Sequence, residues 1–409
     1  VSARSAVAVT GLGLVSPLGI GIEATWAGLL AGVSTAATDS LLQGLPVDFC
    51  CAVPGFDGDA LLGRRLTWRL EPYAQMALVA AREAVADAGL DPAHWDGSRV
   101  AVVLGVGGTS THHWDKQSKH FAAAHHERVS PLFIPRCLTN LAAGEISSDV
   151  RAFGPSLSVS TACASGATAI GLGRDLLLSG SCDIAIVGGA ESGRARIASI
   201  GFSRMGALST RVSAPAKASR PFDANRDGFV LGEGAGILVL ERADDARARS
   251  AHIHGHVAGF GASADAYHFT TPDPEGHGTE LATRTALTDA GMVASDIGHI
   301  NAHGTATPVG DVAEAAMLGR VFPHAPPVTA TKSLTGHTLG ASGALEAAFT
   351  LLTLERQQVP VTANMDSLDE AAAELDLVTE KPRDVVTDTA LSTSFGFGGQ
   401  NAALVLTSA

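Results

Sequence analysis

The feature that most constrains this chain is a rhythm. Short apolar runs alternate with longer stretches of helical periodicity from end to end. Strand-like runs fall at Ala6–Thr10, Val100–Leu104, Ser156–Ser160, Ile184–Val187 and Ile237–Leu240 in the first part. They recur at His299–Asn301, Val328–Thr331, Ala390–Thr393 and Ala402–Leu406 in the second. Helical patterns cover Glu71–Ala88, Ala164–Ser179, Gly278–Ala290, Val312–Phe322 and Gly340–Arg356. Strands alternating with helices predict an α/β architecture. One punctuation, a strand turning directly into a helix, occurs in SVSTACASG and returns in GHINAHGTATP and VTATKSLTGHTLGASG. This predicts an internal duplication, with halves 1–250 and 251–409. No Pro/Ser-rich linker separates them, so they are expected to share one interface.

Composition narrows the class. With 409 residues the chain is long enough for two lobes, and at 46% hydrophobic and 17% charged it suits a large buried core and not a disordered protein. Its formal charge of −13, with no basic run, argues against nucleic acid as a partner. No apolar stretch approaches the ~20 residues of a membrane span, and the start, VSARSAVAVTGLG, does not read as a signal peptide. Five cysteines without a CxxC pair make neither a disulfide framework nor a zinc ribbon. A cytoplasmic enzyme is expected. Only five of the 28 basic residues are lysine, a bias that fits a GC-rich source.

Three turns carry the chemistry. Cys163, in STACASGATAIG, falls at a predicted helix N-terminus, where free N–H groups and the helix dipole favour a thiolate. The alternative is a buried, inert cysteine. His303 in NAHGTATPVGD and His337 in TKSLTGHTLGASG each occupy a Gly/Thr-rich strand-to-helix turn, and Lys332 lies five residues before His337. A cysteine with two such histidines suits covalent acyl chemistry. SFGFGGQN, residues 394–401, reads as a tight turn whose N–H groups can bind an oxyanion, or as an ordinary glycine-rich hairpin. The nucleotide reading of Gly11-Leu12-Gly13 is weak, because Ser16 stands where a third glycine belongs.

Together these strings, with VSPLFIPRCLTNLAAG and SRPFDANRDGFVLGEGAG, resemble the β-ketoacyl-acyl-carrier-protein synthases over nearly the whole chain. The resemblance implies a thiolase fold, a duplicated five-layer α-β-α-β-α architecture working as a dimer. It implies Cys163 as the nucleophile taking an acyl chain from acyl carrier protein. His303 and His337 become the pair serving decarboxylation of the malonyl carrier, and Lys332 their support with Glu346 as counter-charge. The N–H groups of Cys163 and Phe397 become the oxyanion hole. Thr305, Thr307 and Phe395 are placed at the substrate's pantetheine arm, Phe397 as the gate over the acyl pocket, and Val106, Phe133 and Phe202 at that pocket, Phe133 reaching across the dimer. No cofactor is implied beyond the carrier's own 4'-phosphopantetheine.

Within that superfamily the residues discriminate. A thiolase needs a second, late cysteine, whereas the last one here is Cys182. Coenzyme-A-primed enzymes carry Asn where His337 stands. Chain-length factors lack the nucleophile, and Cys163 is present. Gln400 and the stretch Thr111–Arg128 depart from the pattern. These departures and the GC-rich bias favour the ketosynthase subunit of a type II polyketide synthase, paired with itself or with a Cys-less chain-length factor. A fatty acid elongation enzyme is the alternative, and a mainly structural chain-length partner a third reading. The five histidines of 111–128 read as a solvated helical face, and His252, His254 and His256 as a structural strand, so no metal is expected. Arg64, Arg65 and Arg69 are the expected docking patch for an acidic carrier, which the −13 charge otherwise repels.

Overall fold

The computed structural model describes residues 6–108 and 112–409. Two sets of five strands form its framework. The first comprises β1 (Val7–Ser16), β2 (Val100–Gly105), β3 (Ser156–Val159), β4 (Ile184–Ser192) and β5 (Glu233–Arg242). The second comprises β6 (Gly255–Ala264), β7 (Ile300–Asn301), β8 (Pro327–Thr329), β9 (Thr389–Gly396) and β10 (Gln400–Thr407). The main helices are α1 (Pro72–Asp87), α2 (His112–Ala122), α3 (Leu141–Asp149) and α4 (Ser165–Leu178), followed by α5 (Arg196–Arg204), α6 (His277–Ala290), α7 (Pro308–Val321) and α8 (Ser342–Arg356).

The spatial order is β3-β2-β4-β5-β1 in the first set and β8-β7-β9-β10-β6 in the second, the same topology twice. In both, the first two pairings of that order are parallel and the last two antiparallel. The sets join through antiparallel pairing of β1 with β6, Val7 opposite Val257.

Alternation along each strand divides its side chains between two cores. On β2, Val100, Val102 and Leu104 pack outward with α1 and α3, while Ala101 and Val103 face α4 and α8. The latter two helices lie between the strand sets in a core shared by both halves. Residues of α6 and α7 cover the far face of the second set. The result is the five-layer α-β-α-β-α arrangement that the resemblance implies. Strands buried on both faces read as nearly continuous apolar runs, which made them legible.

The apolar run Ala6–Thr10 extends as a strand through GLGLVS, because Gly11 and Gly13 serve helix packing. A Cβ on Gly11 would stand 2.1 Å from the Ala84 carbonyl oxygen, and one on Gly13 1.8 Å from that of Ala80. The Ala-rich face of α1 rests directly on the strand there. Gly13→Ala is expected to destabilise the protein by about 1–3 kcal/mol or more through overpacking, measured by denaturant unfolding. An unchanged midpoint would show that α1 moves aside freely.

Of the histidine-rich stretch, Thr111 and the side chain of His112 lie outside the described residues. The stretch is helical at α2 as far as Ala122 and closes in a 3-10 turn at His126–Arg128, and one histidine departs from the solvated reading. His113 turns inward, its Nε2 3.0 Å from Arg136 and its Nδ1 3.6 Å from Glu71. The expected strand placement of His252 and His254 is also corrected: β6 begins at Gly255, so only His256 lies in it, facing the Ser408 carbonyl. Among the described residues no helix is long and apolar enough to cross a membrane.

Candidate active site

The two central helices bring the site together. Gly166 at the start of α4 and Gly343 at the start of α8 each face the other helix. Their Cβ atoms would stand 2.7 Å from the Ala344 nitrogen and 2.8 Å from the Ala167 nitrogen. Only residues without side chains allow that approach. It places the turn before α4, with Cys163, against the turn before α8, with His337. The loop from β7 to α7 adds His303, Thr305 and Thr307, and the β9–β10 hairpin adds Phe395 and Phe397. All of them, with Phe202, line one cavity of about 580 Å³.

Each of the three turns holds a non-glycine residue in the left-handed region: Ala162 (φ 48°), Ala306 (φ 67°) and Leu339 (φ 49°). Such a conformation costs roughly 1–2 kcal/mol and persists only where neighbours over-determine it. At the cysteine turn, Thr161 N–H donates to Ser165 Oγ at 3.0 Å, and that hydroxyl donates to the Ala162 carbonyl at 2.6 Å. Nothing in the residue pattern signals this strain, since glycine is the residue expected at positive φ.

Cys163 is buried, 8% exposed, in a single 3-10 turn leading into α4. Burial pushes its thiol up to about 11, against the Lys332 charge and the N–H groups of Phe397 and Cys163 itself, which favour the anion. The expected thiolate preference of the helix N-terminus is therefore outweighed, and the resting group is a thiol. Both N–H groups that oppose burial are the two expected at the oxyanion hole.

The histidines are neutral donors. Burial first, then the Lys332 charge, holds His303 and His337 well below the usual imidazole range. Lys332 Nζ lies 3.2 Å from His303 Nδ1, and an ammonium can only donate, so the His303 proton is assigned to Nε2. His337 Nδ1 accepts the Leu339 N–H at 3.3 Å and contacts Ser342 Oγ at 2.9 Å, which assigns its proton to Nε2 as well. The rings meet edge to face at 5.5 Å between centroids, and Phe229 supports His337 at 5.2 Å.

Lys332 is 1% exposed. Its three hydrogens meet three acceptors: His303 Nδ1, the His303 carbonyl at 2.5 Å and Glu346 Oε1 at 2.5 Å. Burial pushes the Glu346 carboxyl up to about 7, against the lysine's charge. Thr305 and Thr307 hydroxyls sit 3.0 Å apart at the cavity wall.

Two acids escaped the sequence reading. Glu314, on α7, accepts the N–H of His303 at 2.8 Å and of Gly304 at 2.7 Å, and the Thr393 hydroxyl at 2.9 Å. Glu191, at the end of β4, lines the cavity and accepts the N–H of Gly107 at 2.7 Å and Gly108 at 3.1 Å. Burial pushes its carboxyl up to about 7, opposed by those bonds. The signal was an acid within an otherwise apolar run, in VAEAAM and IVGGAES.

Two expected placements change. Val106 packs with α1 and α3 in the outer core and does not line the cavity. Phe133, expected to act across a dimer, stands outside this chain's own cavity wall, its ring edge to face with Trp114 at 5.2 Å. Arg69 is drawn to Glu145 on α3 at 2.6 Å, leaving Arg64 and Arg65 exposed on the short helix Arg64–Thr67 beside exposed Trp68.

Comparison with known proteins gives a consistent picture. Residues 4–246 match the family described as Beta-ketoacyl synthase, N-terminal domain, and residues 254–366 match Beta-ketoacyl synthase, C-terminal domain. The 3-oxoacyl-[acyl-carrier-protein] synthase 2 of Vibrio cholerae serotype O1 is 39% identical over 98% of both chains. The solved ishigamide ketosynthase/chain length factor has a TM-score of 0.91 at 36% identity over all of both chains. The ketosynthase solved with a type II polyketide acyl-carrier protein and bound to a hexaketide has a TM-score of 0.88 at 29% identity, again over both full chains.

Proposed function

The chain belongs to the β-ketoacyl synthase family, and on that footing we propose that it is an acyltransferase joining a Cys163-bound acyl chain to the malonyl group of an acyl carrier protein. One observation carries the assignment of residues. Cys163, with an N–H of Phe397 aimed at its sulfur, shares a cavity with two neutral imidazoles.

In the first half-reaction the Cys163 sulfur attacks the acyl thioester, and its proton leaves with the carrier's pantetheine thiol. The N–H groups of Cys163 and Phe397 hold the tetrahedral oxyanion. In the second, the malonyl carboxylate departs as CO2, and its electron pair becomes the enolate of the remaining thioester. The Nε2–H groups of His303 and His337 donate to that enolate oxygen. The enolate carbon then attacks the Cys163 thioester, the C–S bond breaks, and the released thiolate takes up one proton. Lys332, fixed by Glu346, orients His303 by donating to Nδ1. Thr305 and Thr307 face the pantetheine arm, Phe202 lines the acyl end, and Phe395 and Phe397 close over it. The substrates arrive on the carrier's 4'-phosphopantetheine, and no further cofactor takes part. The duplicated topology supports two halves, 1–250 with the nucleophile and 251–409 with the histidine pair. The proposed setting is the cytoplasm.

The proposed role is the ketosynthase subunit of a type II polyketide synthase. The likeness to the ishigamide ketosynthase/chain length factor supports it, and Cys163 in the cavity stands against a purely structural chain-length role. Fatty acid elongation is the second reading, favoured by the identity to 3-oxoacyl-[acyl-carrier-protein] synthase 2. Intact-mass analysis of carrier proteins after incubation with acyl- and malonyl-carrier tests the chemistry. A product lengthened by two carbons is expected, and malonyl carrier returned unchanged would defeat the proposal. Co-purification separates the pathways: one-to-one association with a Cys-less homologue supports the first, and a homodimer making saturated-chain precursors the second.

The exposed Arg64–Arg65 pair is the proposed contact for the acidic carrier. Arg64→Glu/Arg65→Glu is expected to raise KM for carrier-bound substrate about tenfold at low salt. Turnover of a small acyl-pantetheine thioester is expected to stay unchanged. Equal loss on both substrates would place the defect in the site and not in docking.

A further inference from the structure

Away from the cavity, imidazole and carboxylate groups converge where the two strand sets meet. His252 and His254 lie in the segment entering β6, and Glu355 in the last turn of α8. Glu355 Oε1 is 3.4 Å from His252 Nε2, and its Oε2 is 2.9 Å from His254 Nδ1. A donor atom from each of the three residues lies within 4.8 Å of the other two. The two rings meet edge to face, 4.5 Å between centroids. Behind them, Asp87 at the end of α1 approaches His254 Nε2 at 2.7 Å and also accepts the Leu12 N–H at 2.8 Å.

We propose that His252, His254 and Glu355 form a binding site for one divalent transition-metal ion of the zinc type, with Asp87 as the outer carboxylate that orients His254. Two imidazole nitrogens and one carboxylate oxygen suit such an ion, whereas magnesium and calcium prefer oxygen throughout. Metal–nitrogen bonds of about 2.0 Å at tetrahedral angles put donors about 3.3 Å apart, the scale of the spacing around Glu355. A histidine bound through one nitrogen usually donates its other N–H to a carboxylate, and Asp87 stands at that position. His252 is exposed and Glu355 partly so, which leaves a solvent-facing fourth position for water.

Two carboxylates face His254, Glu355 at Nδ1 and Asp87 at Nε2. Binding exchanges the proton on His254 Nδ1 for the ion, while Nε2–H stays with Asp87. The two carboxylates then balance the ion's two charges. The ligands come from α8 and the segment joining the strand sets, and Asp87 comes from α1, so a bound ion would pin the seam between the halves. None of the four residues lines the catalytic cavity.

Equilibrium dialysis of the metal-stripped protein against Zn2+ at mildly alkaline pH tests this. One ion per chain is expected, with affinity at least tenfold weaker in His252→Ala and in Glu355→Gln. A rise in thermal midpoint on adding Zn2+ is expected in the wild type and absent from both variants. Because a cysteine beside histidines also attracts zinc, Cys163→Ala is measured in parallel and is expected to retain the ion. Absence of stoichiometric binding, equal binding in wild type and His252→Ala, or loss of the ion in Cys163→Ala would each overturn the site.

Discussion

Cys163→Ala is expected to abolish self-acylation and lower condensation by on the order of 10⁴-fold or more, since removing a covalent nucleophile leaves only binding and oxyanion stabilisation. The structure sharpens why no neighbour can substitute. Cys50, Cys51 and Cys182 are buried elsewhere, burial pushing the Cys50 thiol far up and those of Cys51 and Cys182 up to about 12 and 11, and none of them lines the cavity. Intact-mass analysis after incubation with acyl-carrier protein reads the result directly. The wild type gains the mass of one acyl group, and the variant gains none. Acylation persisting in the variant would remove Cys163 from the proposed role. Because the side chain is small and sits in a preformed turn, the thermal midpoint should shift little, which separates lost chemistry from lost fold.

His303→Ala is expected to slow decarboxylation of malonyl-carrier protein by about 10²–10³-fold, the usual consequence of deleting one donor to a developing oxyanion. Acyl transfer to Cys163 should fall by no more than about tenfold, because its oxyanion is held by the backbone of Cys163 and Phe397. The measurement is CO2 release from malonyl-carrier protein beside the rate of enzyme acylation. Equal loss in both half-reactions would contradict the division of labour. The substitution also removes one of three acceptors around Lys332 but leaves the His303 carbonyl and Glu346 in place. The buried charge therefore stays paired, and the variant should remain folded.

The legibility of this protein was uneven for physical reasons. Most strands of the two sets were visible because burial on both faces makes them apolar throughout, whereas β6, alternating buried and partly exposed residues, is not among the apolar runs. Helix boundaries came close where sequence punctuation exists: the Glu71–Ala88 pattern is a helix at Pro72–Asp87, opened by a proline, and Gly278–Ala290 is a helix at His277–Ala290, ended by Gly291 in the left-handed conformation. Helix Leu141–Asp149 was missed in a stretch read only as part of a family string. Cys163, His303 and His337 stood out because each lies in a small-residue turn that nothing but function or a tight bend requires. Glu191 and Glu314 did not, because an acid within an apolar run marks a buried carboxylate without showing which backbone N–H groups it grips.

The sequence by itself determined the alternating architecture, its twofold repetition and the identity of the reactive side chains, because periodicity and residue chemistry are local properties. Only the tertiary structure decided their state. Burying Cys163 makes it a thiol and not the thiolate expected from its place before a helix, since desolvation there exceeds what the Lys332 charge and the N–H groups of Phe397 and Cys163 contribute. Packing likewise sent Val106 into the outer core and tied Arg69 to Glu145. It also converted His303 and His337 from two distant histidines into paired neutral donors, through a lysine whose three hydrogens all find acceptors. Charge state and orientation depend on which atoms surround a group and how much water reaches it, and contacts between residues far apart in the chain set both.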